Sequence, residues 1–428
     1  MGKTETEYEV IVIGAGLAGL LTAWYLKEAG KKVLILESGT VASGQTGRTT
    51  AKITSQHGLK YDTLIKKIGK ERAGLYAGAN QKAIDAYEEL IQENQIDCEF
   101  KRCPAYLYTT AKVNSGLLKR EADAAKSLGI PAYFTTETEL PFAVEGAVCF
   151  EDQARFLPLE FVGALAEGLE IRENCQVIGI KGNRVITREG MLEAEKIVVA
   201  AHYPFRNLPG FYFLRQHQER SYVLKLSGCP EYTGMYLGID QDGLSLRQAG
   251  DFLLLGGGSH RTGENQEGGK YTFLETAVKK YFPEARIEDR WSAQDCMPHD
   301  GIPFIGQFSY FTPNLYVITG FQKWGMTSSM VAAQLIRDAI CGRENPYAKV
   351  FTPQRCHIRA GMENFLADAG VSVKGLAGGM FTKRHRCTHM GCKLTRNRDE
   401  QSWDCPCHGS RFDSKGKLLD NPAIKNRD

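Results

Sequence analysis

The sequence has no excess of charge of one sign and no apolar run long enough to cross a membrane. Its 53 Lys and Arg residues against 50 Asp and Glu residues give a formal net charge of +3 at pH 7. This balance is unlike that of a protein whose main task is to hold a nucleic-acid backbone. The uncharged run Val10 to Leu26 contains three glycines and is shorter than the ~20 residues of a spanning helix. We therefore expect no nucleic-acid partner and no membrane span.

The start of the chain lacks the basic and then apolar stretch of a secretory signal. Met1 to Val10 carries acidic residues there instead, so we expect a cytoplasmic protein. Its 428 residues, 43% hydrophobic and 24% charged, exceed the ~100 to 200 residues of one ordinary domain. The composition is that of globular proteins, and the length predicts two or three folded units.

A glycine-rich turn lies between a predicted strand, Glu9 to Ile13, and an apolar helical stretch. The turn contains Gly14, Gly16 and Gly19. In this pattern the first glycine permits a tight turn, the second lets the backbone approach a pyrophosphate, and the third lets the helix lie close to the strand. After a second strand, Glu37 can accept hydrogen bonds from ribose hydroxyls. The pattern predicts a dinucleotide site, and FAD and NAD both fit it.

The dinucleotide pattern occurs once in the sequence. Gly256 to Gly258 also follow an apolar run, but the residues after them are polar and glycine-rich, unlike a helix start. A dedicated NAD(P)H domain is therefore expected to be missing.

Three further segments carry a family likeness: Ser43 to Lys52, His299 to Gly306, and Asn314 to Thr327. With the opening motif, they resemble the FAD-dependent oxidoreductases of the D-amino-acid oxidase and glycine oxidase group over about residues 7 to 350. The resemblance implies FAD as the cofactor. Besides Gly14, Gly16, Gly19 and Glu37, it assigns to the FAD site Arg48, Thr49, Val177, Asp300, Gly325, Met326 and Thr327.

The resemblance also implies an α/β Rossmann-like FAD-binding domain interleaved with an antiparallel-sheet substrate domain, within residues 1–352. Residues 7–100, 155–205 and 296–350 alternate short β-runs with helices and are predicted to form the nucleotide part. Residues 101–154 and 206–295 contain runs typical of a mainly antiparallel sheet. This sheet is expected to carry the substrate.

The predicted substrate pocket departs from that of amino-acid oxidases. The resemblance places an arginine that holds the substrate carboxylate four residues after a tryptophan, here Trp291, and this chain has Asp295 there. Like-charge repulsion argues against ordinary amino-acid oxidation. Asp295 either pairs with a cationic substrate amine or caps local backbone groups. Arg247, in a predicted strand of the substrate sheet, is a second candidate, as the holder of a substrate anion.

Four of the 12 cysteines crowd together near the C-terminus beside two histidines. They include two short motifs, Cys387-Thr-His389 and Cys405-Pro-Cys407-His408. Two thiolates can hold one iron of a [2Fe-2S] centre and two neutral imidazoles the other. A four-coordinate zinc site could use the same Cys₂His₂ set. A zinc site, however, has no use for the extra cysteines or for the following Gly409-Ser410.

The same segment resembles the Rieske [2Fe-2S] domains. The resemblance implies that Cys387 and Cys405 are thiolate ligands, that His389 and His408 are imidazole ligands, and that Cys392 and Cys407 form a disulfide bracing the two ligand loops. Phe412 stands where high-potential members have a tyrosine, which predicts an intermediate potential. We expect a linker over 353–375 and a short all-β Rieske domain over 376–428 that depends on its metal and on docking to the flavin domain.

Together these features predict an FAD-dependent dehydrogenase fused to a Rieske module. A small organic substrate, such as an amine, would reduce the flavin, and electrons would pass singly to the cluster and on to an external acceptor. Two alternatives remain open at this point. Electrons could flow in reverse from an external donor through the cluster to the flavin, or the chain could be a non-catalytic electron carrier or metal-stabilised interaction protein.

Overall fold

The structure is a computed structural model that describes residues 8–355, 358–380, 382 and 385–427. The acidic start on which the expectation of a cytoplasmic location rests lies largely outside these residues. None of the helices in the described ranges is both long and apolar enough to cross a membrane.

The elements are numbered in chain order. The strands are β1 (Tyr8–Ile13), β2 (Val33–Leu36), β3 (Lys52–Ile53), β4 (Lys101–Thr109), β5 (Ala132–Thr135), β6 (Gly146–Arg155), β7 (Ile171–Arg172), β8 (Val177–Lys181), β9 (Arg184–Thr187), β10 (Met191–Val199), β11 (Gln216–Ser227), β12 (Met235–Gly238), β13 (Ser245–Ala249), β14 (Phe252–Arg261), β15 (Arg286–Pro298), β16 (Phe304–Gln307), β17 (Leu315–Thr319), β18 (Thr395–Asn397), β19 (Ser402–Asp404), β20 (Arg411–Phe412) and β21 (Leu418–Asp420). The helices are α1 (Leu17–Glu28), α2 (Tyr61–Ile68), α3 (Lys70–Glu93), α4 (Ser115–Ser127), α5 (Pro158–Glu167), α6 (Lys270–Tyr281), α7 (Gly325–Ile340), α8 (Ala348–Phe351) and α9 (Ile358–Met380).

The first sheet has the strand order β16-β17-β10-β1-β2-β7. Its central strands β17, β10, β1 and β2 run parallel, and β16 closes one edge antiparallel. Val10, Ile11 and Val12 are fully buried, as expected for parallel strands covered on both faces. Ligands of such sheets bind beyond the carboxyl ends of the strands. The ends of β1 and β2 lead into the glycine turn and Glu37.

The second sheet has the order β15-β11-β14-β13-β12-β4-β6-β3, with β5 beside β6. Its neighbouring strands are antiparallel except for the parallel pair β12 and β4. Strand β3, from the segment predicted for the nucleotide part, pairs with β6 at the edge of this sheet. The two sheets are therefore interleaved along the chain, as the sequence predicts.

The C-terminal unit is a four-stranded antiparallel sheet, β18-β19-β20-β21, preceded by α9. This helix occupies most of the segment expected to be a linker. Its glycines allow a close approach to the ligand loops: a Cβ on Gly375 would lie 2.5 Å from Cys407 Sγ, and one on Gly379 would lie 2.0 Å from the Gly391 carbonyl oxygen. A glycine-rich segment is typical of a flexible linker, but here Gly375 and Gly379 lie in a helix and let it pack closely against the ligand loops.

Candidate cofactor sites

The glycine turn after β1 has the close contacts that its motif predicts. Gly14 has a φ of +112°, and a Cβ there would lie 2.6 Å from the Ala200 carbonyl oxygen. A Cβ on Gly19 would lie 1.9 Å from the Gly14 carbonyl oxygen. A side chain at Gly14 would therefore collide with the residue after β10, and one at Gly19 would push α1 away from the end of β1. Helix α1 begins at Leu17, so its first N–H groups face the end of the sheet, where an anionic phosphate is favoured.

Glu37 is fixed at the end of β2 by backbone groups. Its Oε2 accepts a hydrogen bond from Ala15 N at 2.8 Å, and its Oε1 accepts one from Gly39 N at 2.7 Å. The carboxylate therefore stands beside the glycine turn, where a ribose would follow the pyrophosphate.

A cavity of about 1130 Å³ extends from the glycine turn to the second sheet. Its wall brings together many residues predicted from distant parts of the sequence, namely Gly14, Gly16, Glu37, Arg48, Thr49, Val177, Asp295, Gly325 and Met326. The size, the glycine turn and the fixed carboxylate fit FAD.

Four predicted residues are absent from the cavity wall that the described residues form. Gly19 packs against the Gly14 carbonyl oxygen and lets α1 lie close to the turn. The Thr327 hydroxyl donates to the Thr54 carbonyl oxygen at 3.1 Å. The Asp300 carboxylate pairs with the Arg355 guanidinium through contacts of 2.7 and 3.0 Å. Arg247 lies in a separate cavity of about 310 Å³. Direct roles for these four residues in cofactor or substrate binding stay predictions.

Asp295 contacts an internal ammonium group. Its Oδ2 lies 3.2 Å from Lys323 Nζ, which is also 3.5 Å from Glu219 Oε2. Burial raises the pKa of Asp295. Burial opposes the charge of Lys323, but Asp295 and Glu219 together raise the pKa of this lysine. The sequence analysis did not identify Lys323 or Glu219, although Lys323 lies in the Asn314 to Thr327 segment that carries the family resemblance.

Lys52, also missed, lies on the cavity wall beside Ser245. Its Nζ donates to Ser245 Oγ at 2.5 Å. Burial, with a smaller effect from the nearby Arg247 charge, lowers the pKa of Lys52 to about 7. A substantial fraction of this lysine is therefore uncharged at neutral pH and can accept a proton. The only signal in the sequence was the position of Lys52 at the end of the Ser43 to Lys52 segment, which carries the family resemblance.

The residues predicted to bind the cluster lie close together at the C-terminal site. The His389 and His408 rings lie 5.0 Å apart between centroids, and both Nδ1 atoms are buried without a hydrogen-bond partner. His389 Nε2 lies 2.7 Å from Asn207 Oδ1. Because that oxygen can only accept, Nε2 carries the proton and Nδ1 keeps its lone pair. Burial lowers the pKa of His389 to about 4 and that of His408 to about 3, so both imidazoles are neutral.

The two predicted ligand cysteines, Cys387 and Cys405, are buried and adjacent. A hydrogen bond with Cys405 lowers the pKa of Cys387, and the same contact raises the pKa of Cys405. Cys392 and Cys407 form a disulfide with a Cα–Cα distance of 6.8 Å. It joins the two ligand loops, as the resemblance implies. Two thiols and two neutral imidazoles with free Nδ1 atoms fit the donor set of a [2Fe-2S] centre.

The second ligand loop sits directly on the wall of the large cavity. Gln218 Nε2 donates to the His408 carbonyl oxygen at 2.7 Å, and Gln294 Nε2 donates to the Gly409 carbonyl oxygen at 2.8 Å. Gln294 itself lines the cavity. Residues 417–421 complete the wall, and Asp420 Oδ1 accepts a hydrogen bond from Gln45 Nε2 at 3.0 Å. The C-terminal unit therefore closes part of the flavin cavity.

Comparisons with known proteins agree with both sites. Residues 9–339 match the FAD dependent oxidoreductase family, DAO, and residues 365–427 match the Rieske [2Fe-2S] domain. The chain is 36% identical to YhfW of Bacillus subtilis (strain 168), named as a Rieske 2Fe-2S iron-sulfur protein, with 99% of this chain and 93% of that protein covered. It is 22% identical to gamma-glutamylputrescine oxidoreductase of Escherichia coli (strain K12), covering 78% of this chain and 84% of that protein.

Among solved structures, glycine oxidase from Geobacillus kaustophilus matches with a TM-score of 0.70 and 18% identity, over 82% of this chain and 99% of that chain. This likeness shows the fold. The predicted fold class, both cofactors and an oxidoreductase are confirmed. The Rieske match also favours iron over zinc at the C-terminal site. The chain belongs to the DAO family of FAD dependent oxidoreductases and carries a C-terminal Rieske [2Fe-2S] domain.

Proposed function

We propose that this protein dehydrogenates a small amine and passes the electrons from FAD to the [2Fe-2S] centre of the same chain, which delivers them to an external acceptor. The observation that carries the proposal is the seating of the His408 loop on Gln218 and Gln294. Because Gln294 also lines the flavin cavity, a side chain on the cavity wall directly contacts the loop that carries His408.

The two cofactors supply complementary electron chemistry. Bound FAD can accept two electrons from an organic substrate and release them one at a time, whereas a [2Fe-2S] centre carries one electron. The protein contributes the binding surfaces. The glycine turn and Glu37 hold the nucleotide end, and Gly325 and Met326 at the start of α7 lie on the cavity wall, where their backbone N–H groups can face the ring.

An amine substrate is supported by Asp295, which lies on the cavity wall. It stands where the resemblance places the arginine that holds a substrate carboxylate. A carboxylate at this position repels a second carboxylate and attracts an ammonium group. Relatives named for amine substrates, such as gamma-glutamylputrescine oxidoreductase and sarcosine oxidase subunit beta, agree with this choice.

Lys52 is proposed to accept a proton from the substrate ammonium. Removing that proton exposes the nitrogen lone pair, which assists loss of hydride from the adjacent carbon. A lysine with a pKa of about 7 is suited to this role at neutral pH, and Ser245 holds its Nζ at 2.5 Å. Asp295 and Lys323 position the substrate in this scheme.

Anaerobic stopped-flow mixing of the fully loaded protein with a panel of amines and hydroxy acids tests the proposal. An amine is expected to bleach the flavin absorbance first, and the cluster absorbance is expected to change afterwards. Reduction by hydroxy acids alone would contradict the substrate class. If an added one-electron donor reduces the cluster before the flavin, and no organic substrate bleaches the flavin, electrons flow in the opposite direction.

A further inference from the structure

Two buried arginines lie together outside the flavin cavity, and neither forms an ion pair within the described residues. Arg155, the last residue of β6, is 7% exposed, and Arg247, in β13, is 1% exposed. Arg155 Nη1 and Arg247 Nε are buried and have no hydrogen-bond partner. Among the ion pairs formed by the described residues, none involves either guanidinium.

This arrangement is unfavourable unless something supplies negative charge. A buried charge without a partner loses its hydration and gains nothing in return. Here two like charges also repel: burial lowers the pKa of Arg247, and the Arg155 charge lowers it further. Arg247 is nevertheless held in place, because its Nη2 donates to the Phe156 carbonyl oxygen. The chain therefore maintains a positive site that no ion pair within its described part neutralises.

A cavity of about 310 Å³ opens onto both arginines. Its volume lies at the lower end of the range of about 300 to 1,000 Å³ typical of small-molecule sites. Phe100, Phe156 and Leu157 supply an apolar part of the wall. The cavity is distinct from the flavin cavity, because neither arginine lines the larger one.

The rim of the smaller cavity carries mixed charge. Lys101 adds a third positive group, whereas Glu99 and Glu231 are exposed carboxylates. These carboxylates are hydrated, so they compensate the two buried guanidinium groups only weakly. The rim carboxylates also repel an anionic ligand and so limit the negative charge that a ligand in this cavity can carry.

We propose that this cavity binds a small organic oxyanion, with its carboxylate or phosphate group between Arg155 and Arg247. The planar guanidinium group presents its N–H donors in a fork that matches the oxygens of both anions. The carbon part of the ligand lies against Phe100, Phe156 and Leu157. The site is independent of the substrate proposed for the flavin cavity.

Isothermal titration of the full-length protein loaded with FAD and cluster tests the site. Loading matters because phosphate could otherwise occupy the pyrophosphate position. Succinate and phosphate serve as probes at constant ionic strength, adjusted with chloride. Saturable binding of at least one probe is expected, and the tighter probe identifies the preferred anion. Absence of saturable binding for both would overturn the proposal.

The variant Arg155→Gln is expected to weaken binding by at least about 10-fold, because it removes charged hydrogen bonds to the ligand. The control Arg184→Gln, which alters an exposed arginine paired with Glu193, is expected to keep the affinity of the unchanged protein. Equal weakening in both variants would show a general charge effect and would overturn the site.

Two further measurements keep the proposal testable if Arg155→Gln binds poorly for structural reasons. Without ligand, this variant is expected to melt no lower than the unchanged protein, because the guanidinium that it removes has no internal partner. A large fall in melting temperature would contradict the unpaired state. Glu99→Gln keeps both arginines and removes a rim carboxylate, so it is expected to tighten binding. Weaker binding in that variant would contradict the placement of the anion.

Discussion

Lys52 shows how a buried environment changes the chemistry of one side chain. In water a lysine remains protonated far above neutral pH. In the cavity wall, desolvation and the Arg247 charge bring its pKa to about 7. The uncharged amine exists above that pH and the ammonium below it. Flavin reduction that depends on Lys52 as a proton acceptor must therefore accelerate as the pH rises through about 7.

Replacing Lys52 with methionine tests this role. In this variant the substrate is expected to reduce the flavin at least about 100-fold more slowly, an effect typical of a lost general base. The rise in rate near pH 7 is also expected to disappear. Stopped-flow flavin bleaching from pH 6 to 9 measures both effects. The control Lys66→Met changes an exposed lysine paired with Asp62 and is expected to keep the original profile. The same rise in the Lys52 variant would assign it to another group.

Hydrogen bonds around the ligand thiolates are expected to set the cluster potential. The Ser410 hydroxyl bonds the Cys387 thiol and helps to lower the pKa of that cysteine, whereas Phe412 is fully buried and offers no donor. Ser410→Ala is therefore expected to lower the reduction potential, and Phe412→Tyr to raise it. Redox titration followed by the paramagnetic signal of the reduced cluster measures both shifts. Phe412→Leu, which adds no donor, is the control, and a rise in that variant would contradict the explanation.

At the level of elements, α9 packs its glycines against the ligand loops. Gly379→Ala would place a Cβ 2.0 Å from the Gly391 carbonyl oxygen. Forcing the helix away is expected to destabilise the C-terminal unit by about 1 to 3 kcal/mol and to lower its iron content. Thermal unfolding and iron analysis measure the effect.

Gly370→Ala is the matched control in the same helix, since a Cβ there meets nothing within 4 Å. Alanine also has the higher helix propensity, so this variant is expected to be slightly more stable. If the two alanine variants behave alike, the close packing of α9 on the ligand loop does not stabilise the cluster site.

The elements also show what sequence can and cannot predict here. The glycine turn and the two ligand motifs could be predicted because their residues are neighbours in sequence and their spacing has a chemical reason. The helix α9 in the expected linker could not be predicted, because its glycines are required only by the close approach to Cys407 and Gly391 in the folded protein. The environment of Lys52 depends in the same way on Ser245 and Arg247, which only the folded second sheet brings to it.

For the whole molecule, the decisive feature is that the C-terminal unit closes part of the flavin cavity. Asn421 Nδ2 donates to the Ala201 and Tyr203 carbonyl oxygens at 2.5 and 2.8 Å. Arg261 Nε donates to the Pro406 carbonyl oxygen at 3.0 Å. Because these contacts satisfy buried backbone groups across the interface, the short unit is held in one position.

Weakening this contact is expected to slow electron exchange between the cofactors. Gln218→Ala removes the hydrogen bonds that Gln218 Nε2 donates to the His408 and Asn421 carbonyl oxygens and changes none of the four predicted ligand residues. The flavin is expected to bleach at the original rate, while reduction of the cluster lags behind it. Gln401→Ala, an exposed change in the turn between β18 and β19, is the control. An unchanged lag in Gln218→Ala would place the electron route elsewhere.

The most direct test of the account follows flavin and cluster absorbance after anaerobic mixing with a reducing amine at several protein concentrations. If electrons pass between two cofactors of the same chain, the step that reduces the cluster is first order, and its rate constant does not change on dilution. A rate that falls in proportion to protein concentration would show exchange between molecules. A cluster that stays oxidised beside a reduced flavin would contradict the central claim outright.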